Sequence, residues 1–173
     1  DVSGPTFRHK EFAEYKAKRV KAPDELYAQI PMIKGMLEKL GVPIFEKQGF
    51  EADDLIGVLA TKATAKKDIN TIIVSGDMDN LQMINGSTQV YTLRKGIKDT
   101  VMYNEEMVKE KYGGLSPKQL IEFKGLAGDT SDNIPGVKGV GEKTAIQLLK
   151  EYPTLEKVYK AVEGGKADIS EKM

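Results

Sequence analysis

Carboxylate side chains fall into three short clusters of the sequence. The first begins a predicted helix, the second follows a run of β-branched residues, and the third lies in a glycine-flanked polar loop. The members are Glu51, Asp53 and Asp54; Asp77 and Asp79; and Asp129 and Asp132. Taken singly, each cluster has an ordinary explanation, because acidic residues are favoured at helix starts and in polar turns.

Taken together, the three clusters predict a metal site in one cleft. No lysine or arginine stands inside any cluster, so converged carboxylates would repel one another, raise one another's pKa values and need a cation. The chain has no cysteine and one histidine, and oxygen ligands alone favour Mg²⁺ or Mn²⁺. More than four carboxylates exceed the need of one Mg²⁺. Two ions about 3.5–4 Å apart would use them and suit in-line attack on a phosphodiester.

A glycine-rich segment after the third cluster predicts a helix-hairpin-helix motif. It contains Gly-Val-Gly-x-x-x-Ala and is followed by apolar residues. Glycines let a backbone approach a phosphate closely, and the N–H groups at a helix start then point at that phosphate. The expected DNA-backbone contacts are Gly136, Val137, Lys138, Gly139, Val140, Gly141, Lys143 and Thr144. The alternative is a glycine-rich turn between packed helices.

Composition narrows the class of protein. The 173 residues are 40% apolar and suit one domain, or one domain with a small appendage. Because 26 basic residues balance 26 acidic ones, a nucleic-acid site must come from uneven charge distribution. The lack of cysteine excludes disulfides and thiolate zinc sites. No apolar run approaches the roughly 20 residues that a membrane span needs.

Strands and helices alternate along the first part of the chain, and helices alone follow. We predict strands at 42–47, 71–74, 89–93 and 100–103, with helices between them. The predicted fold class is α/β, with a mostly parallel sheet flanked by helices over 1–115 and Val74 on an inner strand. An all-helical helix-hairpin-helix region is predicted over 116–173.

Four segments together resemble the 5′–3′ exonuclease, or flap endonuclease, domain of bacterial DNA polymerase I. They are Phe-Glu-Ala-Asp-Asp-Leu-Ile-Gly (50–57), Ser-Gly-Asp-Met-Asp (75–79), the stretch 128–145, and Thr-Phe-Arg-His…Tyr-Lys-Ala-Lys-Arg (6–19). The resemblance runs from Asp1 to about Val162, and 128–145 is its most specific part. It implies a PIN-like core and a two-metal hydrolysis of DNA, as in primer removal and DNA repair.

The resemblance also assigns roles to residues. Positions matching the ligands of two Mg²⁺ or Mn²⁺ ions, bound directly or through water, are Asp1, Glu51, Asp53, Asp54, Asp77, Asp79, Asp129 and Asp132. Arg8, Lys16 and Arg19 match basic residues of a helical arch, here within 6–23, that steer the scissile phosphate. A solvated basic helix is the alternative for this segment. The hairpin is implied to bind K⁺ through backbone carbonyls.

Further expectations concern what lies beyond this chain. The family begins with a strand that ends in another metal-binding Asp, some tens of residues before the position of Asp1, so we expect an incomplete core here. Expected partners are DNA with a 5′ flap, nick or branch, and a polymerase domain in the same parent chain. We expect a monomer in the bacterial cytoplasm, without a membrane partner.

Two other functions fit part of the sequence. One is a non-catalytic DNA-binding fragment of such a nuclease, which would keep the hairpin and lack turnover. The other is a haloacid-dehalogenase-like phosphatase, with the Asp-x-Asp at 77–79 and a later Gly-Asp-x-x-Asp at 128–132. The phosphatase would form a phospho-enzyme on Asp77, but it explains neither the cluster at 51–54 nor the hairpin.

Overall fold

The computed structural model describes residues 2–95 and 99–165 and contains two compact units. The first unit comprises the chain up to Leu55 together with 131–133, and the second comprises 56–130 and the chain from Ile134. The helices are α1 (Phe7–Glu11), α2 (Asp24–Lys39), α3 (Ala52–Thr64), a 3₁₀ helix (Met78–Met83), α4 (Glu105–Lys111), α5 (Gln119–Ala127), α6 (Glu142–Glu151) and α7 (Leu155–Glu163). The strands are β1 (Thr71–Val74), β2 (Thr88–Lys95), β3 (Asp99–Tyr103), β4 (Gly128–Asp129) and β5 (Ile134–Pro135).

The main sheet lies in the second unit and is mixed. Strand β1 pairs in parallel with β2, and β2 pairs antiparallel with β3. The predicted α/β fold with flanking helices and a following helical region is confirmed. The described sheet is mixed where a mostly parallel one was predicted, and the region predicted as all-helical also contains the short β4–β5 pair. The prediction that Val74 occupies an inner strand is wrong for the described residues, because β1 is the edge strand there and Val74 is 68% exposed. A β-branched run predicts a strand, whereas its neighbours in the sheet are set by distant segments.

Two apolar clusters form the interior of the second unit. The first joins the sheet to its helices and contains Ala60, Ile73, Leu81, Ile84, Val90, Tyr103, Val108 and Leu120. The second lies within the helical region and contains Leu115, Phe123, Leu126, Val140, Ala145, Leu148, Leu149 and Val158. Helix α5 contributes Leu120 to the first cluster and Phe123 to the second. This helix is therefore fixed on two sides before it leads into Asp129.

The first unit differs from its prediction in two places. No strand forms at 42–47, so that prediction is wrong. An isolated apolar run needs a neighbouring strand to pair with, and Pro43 lacks one donor for such pairing. Helix α2 continues through Pro31, and its apolar side chains Leu26 and Ile33 are each 51% exposed. Among the described residues, no helix is long and apolar enough to cross a membrane.

The backbone at Gly136, directly after β5, packs closely against the backbone of Ala127, directly before β4. This close approach gives a prediction about stability. A Cβ on Gly136 would lie 2.4 Å from the carbonyl carbon of Ala127, which is backbone and cannot move aside cheaply. We expect Gly136→Ala to lower the free energy of unfolding by about 1–3 kcal/mol. The control Gly86→Ala, where a Cβ meets nothing within 4 Å, should change it by less than about 0.5 kcal/mol. Equal urea midpoints for the two variants would contradict this packing.

Candidate functional site

The first carboxylate cluster lies at the start of α3, where Asp54 forms a bidentate ion pair with Arg8. The Arg8 Nη2 to Asp54 Oδ1 distance is 2.7 Å, and the Nη1 to Oδ2 distance is 2.9 Å. Asp54 Oδ2 also accepts a hydrogen bond of 2.8 Å from the backbone N–H of Glu51. The hydrogen bonds from Arg8 hold the pKa of Asp54 below its usual value, although partial burial opposes them. Asp54 is therefore an anion already matched by a cation.

Glu51 is buried and has two donors of its own. Lys16 Nζ lies 2.6 Å from Glu51 Oε2, and Tyr15 Oη lies 3.0 Å from the same oxygen. Burial alone would raise the pKa of Glu51, but the hydrogen bonds from Lys16 and Tyr15 outweigh it and lower that pKa. Burial, together with the bond to Glu51, raises the pKa of Tyr15 to about 12. Tyr15 therefore remains a protonated donor at neutral pH.

Asp132 meets the same basic segment in the first unit. Arg19 Nη2 lies 2.8 Å from Asp132 Oδ1, Tyr15 Oη lies 3.2 Å from Oδ2, and Lys16 Nζ lies 3.8 Å from Oδ2. Two of the three basic residues predicted at the arch therefore contact one carboxylate. Lys16 and Tyr15 also join Asp132 to Glu51, although the sequence separates the two acids widely.

Backbone contacts fix this arrangement between the 131–133 loop and the basic segment. The N–H of Lys16 donates to the carbonyl of Asp132 at 2.9 Å, and Asn133 Nδ2 donates to the carbonyl of Glu14 at 2.8 Å. Lys16 and Asn133 have φ values of 55° and 58°, in the left-handed region. Asn tolerates that region far better than most residues, which explains its use in this loop.

The second unit holds a carboxylate pair on a single lysine. Lys124 Nζ donates to Asp129 Oδ2 at 2.7 Å and also bonds Asp79 Oδ1. Burial would lower the pKa of Lys124, but the bonds to Asp129 and Asp79 outweigh it and raise that pKa. Asp77 caps the 3₁₀ helix, because its Oδ1 accepts from the N–H of Asp79 at 2.9 Å. Asp77 is exposed and lies shortly after the end of β1, two positions before Asp79.

These contacts correct the charge argument made from the sequence. Lysine and arginine do stand among the carboxylates, but they come from other segments, as Lys124 does for Asp79 across 45 residues. The expectation that converged acids raise one another's pKa values is wrong for Glu51, whose pKa is lowered. The pKa of the neighbouring Asp54 is lowered as well. The charged residues within a short acidic segment therefore do not show which lysine or arginine side chains from other segments will fold against it.

The donor set fits Mg²⁺ or Mn²⁺. Across residues 2–95 and 99–165, no three His, Cys, Asp or Glu side chains gather as a ready metal-binding group. The acids meet instead in pairs, Asp79 with Asp129 and Glu51 with Asp132, each on a lysine. Mg²⁺ is commonly held by one or two carboxylates with water completing its shell, so such pairs suffice. The convergence of all the clusters in one cleft stays a prediction.

Four of the eight predicted ligands lie outside these two acid pairs, namely Asp1, Asp53, Asp54 and Asp77. Asp53 lies half-buried in the first turn of α3, next to the paired Asp54. Asp1 lies outside the described residues. Their roles as metal ligands stay predictions.

The predicted hairpin presents an exposed turn anchored at its base. The N–H of Val137 donates to the carbonyl of Leu126 at 2.8 Å, and the side chain of Val140 is 4% exposed within the helical core. A contact from Val140 to DNA would therefore use its backbone. Gly139 has φ +81°, and Gly141 is the N-cap of α6 with nothing within 4 Å of an added Cβ. The remaining predicted contacts, Lys138 and Lys143, are exposed, and Thr144 is half-buried.

Sequence reasoning missed three residues of the site. Lys124 precedes Asp129 by five positions, and this spacing is not one of the usual helical pairings. Tyr15 stood out only as an aromatic residue among basic ones, and Asn133 only as part of the polar loop. An Asn that follows Asp and precedes an apolar residue is a weak signal for a left-handed position.

The Arg8–Asp54 pair gives a pH prediction. The lowered pKa of Asp54 means that its stabilisation is present above the unfolded carboxyl pKa of about 3.9 and is lost as pH falls through the folded value. We expect Arg8→Met to destabilise the protein by about 1 kcal/mol at pH 7, after solvent screening, and by less at about pH 3, below the unfolded carboxyl pKa. Urea unfolding at both pH values measures this. The control Lys34→Met, which breaks the exposed Lys34–Glu46 pair, should have little effect at either pH. An Arg8→Met effect that is equally large at low pH would contradict the ion pair.

Comparison with known proteins decides the family. The model of the 5′–3′ exonuclease N-terminal resolvase-like domain matches residues 1–113, and the model of the 5′–3′ exonuclease C-terminal SAM fold matches 115–173. The chain belongs to the 5′–3′ exonuclease family. The resemblance seen in the sequence is thereby confirmed, and nothing in this family supports the phosphatase alternative. The domain boundary predicted between 115 and 116 stays a prediction.

Curated relatives of this exonuclease family agree in sequence. A 5′–3′ exonuclease of Mycoplasma genitalium is 49% identical over 159 residues, which cover 92% of this chain and 54% of that protein. DNA polymerase I of Bacillus subtilis is 48% identical over 163 residues, covering 94% of this chain and 18% of the polymerase. The chain thus spans about half the length of the Mycoplasma relative.

Solved structures agree in fold. A bacteriophage T5 flap endonuclease, whose structure is a complex with DNA and metal ions, matches with a TM-score of 0.69 at 23% identity. The match covers 90% of this chain and 59% of that one. At this identity the likeness supports the fold of the exonuclease family and does not transfer individual residue roles.

Proposed function

We propose that this chain forms the nuclease part of a structure-specific 5′–3′ exonuclease and 5′-flap endonuclease that hydrolyses DNA phosphodiesters. One observation carries the proposal: in a member of this family, Asp79 and Asp129 come from separate segments to share one cation. A polymerase domain in the same parent chain is part of the proposal, since DNA polymerase I is among the relatives. We propose a monomer in the bacterial cytoplasm.

The carboxylate pairs are the proposed metal-binding groups. Asp79 and Asp129 would hold one ion with Asp77 beside them, and Glu51 and Asp132 would hold another, with Asp1, Asp53 and Asp54 completing the set. When bound, two Mg²⁺ or Mn²⁺ ions supply an activated water and stabilise charge on the reacting phosphate. The chain's own part is to hold these acids ionised, as the donors to Glu51 and Asp54 already do.

The basic segment is proposed to act on the scissile phosphate. Lys16 and Arg19 are tied to Glu51 and Asp132, so they lie at the acids that would hold metal. Cations there offset the charge that develops on the phosphate during attack. Arg8 differs, because Nη1 and Nη2 of its guanidinium both donate to the Asp54 carboxylate. We propose that Arg8 acts mainly by fixing the start of α3.

The hairpin is proposed to bind the duplex arm of the substrate without reading its sequence. Its exposed glycines and the start of α6 can approach phosphates closely, and Lys138 and Lys143 add positive charge. A K⁺ ion held by its backbone carbonyls is part of the same proposal. DNA affinity should therefore fall steeply with salt.

A glycine substitution tests the hairpin separately from the fold. Gly141 has an ordinary φ of −88° and open space around its Cβ, so Gly141→Leu should fold normally. We expect it to weaken duplex binding about tenfold or more, because the side chain blocks the approach of a phosphate. The control Gly86→Leu, also with open space, should leave binding unchanged. Fluorescence anisotropy with a labelled duplex measures both, and unchanged binding by Gly141→Leu would remove the hairpin from the mechanism.

One flap substrate distinguishes the nuclease from a non-catalytic DNA-binding module. The protein at the full length of its relatives is incubated with a 5′-flap DNA, first in Ca²⁺ to measure binding and then in Mg²⁺ to measure cleavage. We expect the protein to bind the flap DNA in Ca²⁺ and to cleave it in Mg²⁺, with cleavage abolished by a chelator. Binding without cleavage on flap, nicked and branched DNA would instead establish the binding module.

A further inference from the structure

We propose that Lys124 is a tethered counter-ion that occupies the carboxylate pair in the metal-free protein and is displaced when a divalent ion binds there. The inference rests on the proposed function, because it takes Asp79 and Asp129 as metal ligands. It concerns a residue to which no role was assigned from the sequence.

The contacts of Lys124 place it where a metal ion would sit. One ammonium bonds both carboxylates, Asp129 at 2.7 Å and Asp79 beside it. Asp129 is the more enclosed of the two acids, with 11% of its side chain exposed against 31% for Asp79. An enclosed carboxylate beside a second one stays ionised only when a positive charge lies close to it. Lys124 supplies that charge before any metal arrives.

The same oxygens cannot serve the ammonium and a metal ion equally. Asp129 Oδ2 and Asp79 Oδ1 both accept from Lys124 Nζ, and an ion bound between these acids would need oxygen lone pairs at the same place. Binding of the ion therefore breaks at least one charge-assisted hydrogen bond. That competition lowers the affinity of the two acids for the metal ion.

A cavity beside Lys124 gives the displaced side chain somewhere to go. Its volume is about 150 Å³, and Met78, Tyr112 and Phe123 line it together with Lys124 itself. The apolar stem of a lysine packs well on such a surface while the ammonium reaches solvent. Lys124 is already 37% exposed, so a modest rotation suffices. The exchange requires no movement of α5, which two apolar clusters hold in place.

The other carboxylate pair has the same arrangement, with one lysine between two acids, which supports the same role for both lysines. Lys16 Nζ lies 2.6 Å from Glu51 and 3.8 Å from Asp132. In each unit, two acids from distant segments meet on one lysine. The pairs are therefore held in binding-competent positions by ammonium groups, and a divalent ion replaces a cation without having to assemble the site.

Mn²⁺ titration followed by EPR tests the exchange on the full-length protein. We expect Lys124→Met to bind one Mn²⁺ about tenfold more tightly than wild type, a factor equal to the loss of one charge-assisted hydrogen bond. The matched control Lys62→Met, at an exposed position of α3, should bind as wild type does. Added Mn²⁺ should also raise the Tm of Lys124→Met more than that of wild type, because the variant's acids repel one another without it.

Three results are decisive. If Lys124→Met binds Mn²⁺ as wild type does or more weakly, while wild type binds Mn²⁺ normally, the proposed counter-ion role of Lys124 is wrong. The proposed metal site is not affected by that result. No Mn²⁺ binding by wild type overturns the metal site and with it the proposed function. If Lys124→Met does not fold, the lysine ammonium NMR signals of wild type decide. A protected Lys124 signal that vanishes on addition of Mg²⁺ supports the exchange, and a signal unchanged at saturating Mg²⁺ refutes it.

Discussion

Asp129→Asn in the full-length protein is expected to lower kcat on a 5′-flap substrate by roughly 10²–10³-fold, the range for removal of one preorganised charge-stabilising group. DNA affinity should change little, because a metal ligand acts mainly on transition-state charge. Asn keeps the shape of Asp and can still accept a bond from Lys124, so folding should survive. Asp77→Asn should behave in the same way.

The matched control for this prediction is Asp68→Asn, at an exposed position outside every carboxylate cluster. It should leave kcat within about twofold of wild type. Single-turnover cleavage and equilibrium binding in Ca²⁺ separate the two effects. Loss of binding equal to the loss of turnover would show that Asp129 serves DNA binding or folding instead of catalysis.

Lys16→Met is expected to lower turnover by roughly 10²-fold and to destabilise the protein by about 1–3 kcal/mol. The turnover effect follows from removal of a cation at the phosphate. The stability effect follows because Glu51, with 11% of its side chain exposed, loses its nearest charged donor at 2.6 Å. The left-handed φ of Lys16 is unchanged by the substitution, so the backbone contact to Asp132 can persist.

Arg19→Ala tests whether an exposed basic residue of the arch segment matters less than the enclosed Lys16. The side chain of Arg19 is 54% exposed and forms an ion pair with Asp132, so we expect a turnover loss of about tenfold and almost no change in Tm. Metal binding should persist in both variants. If Arg19→Ala proved as damaging as Lys16→Met, the distinction between an enclosed and an exposed arch cation would be wrong.

Local signals in the sequence predicted the elements that carry the site. The β-branched run at 71–74 forms β1, and Asp77 after it caps the 3₁₀ helix as expected for a turn at a strand end. Each of these outcomes depends on residues within a few positions of one another, which is the distance over which sequence patterns are informative.

Long-range partners could not be predicted. The strand expected at 42–47 has no pairing partner among the described residues, and Val74 lies at an edge because no described strand flanks it there. The ion pairs of the site were missed for the same reason, since Lys16, predicted only as an arch residue, reaches Glu51 across 35 residues and Lys124 reaches Asp79 across 45. The error in the predicted pKa direction follows from those missed ion pairs.

The EPR spectrum of Mn²⁺ bound to the full-length protein with cleaved flap DNA tests the central claim most directly. A two-metal nuclease predicts an exchange-coupled pair of ions about 3.5–4 Å apart, lost in Asp129→Asn and kept in Asp68→Asn. A spectrum of isolated, uncoupled Mn²⁺ at saturation, in a protein that still cleaves the flap, would contradict the two-metal account.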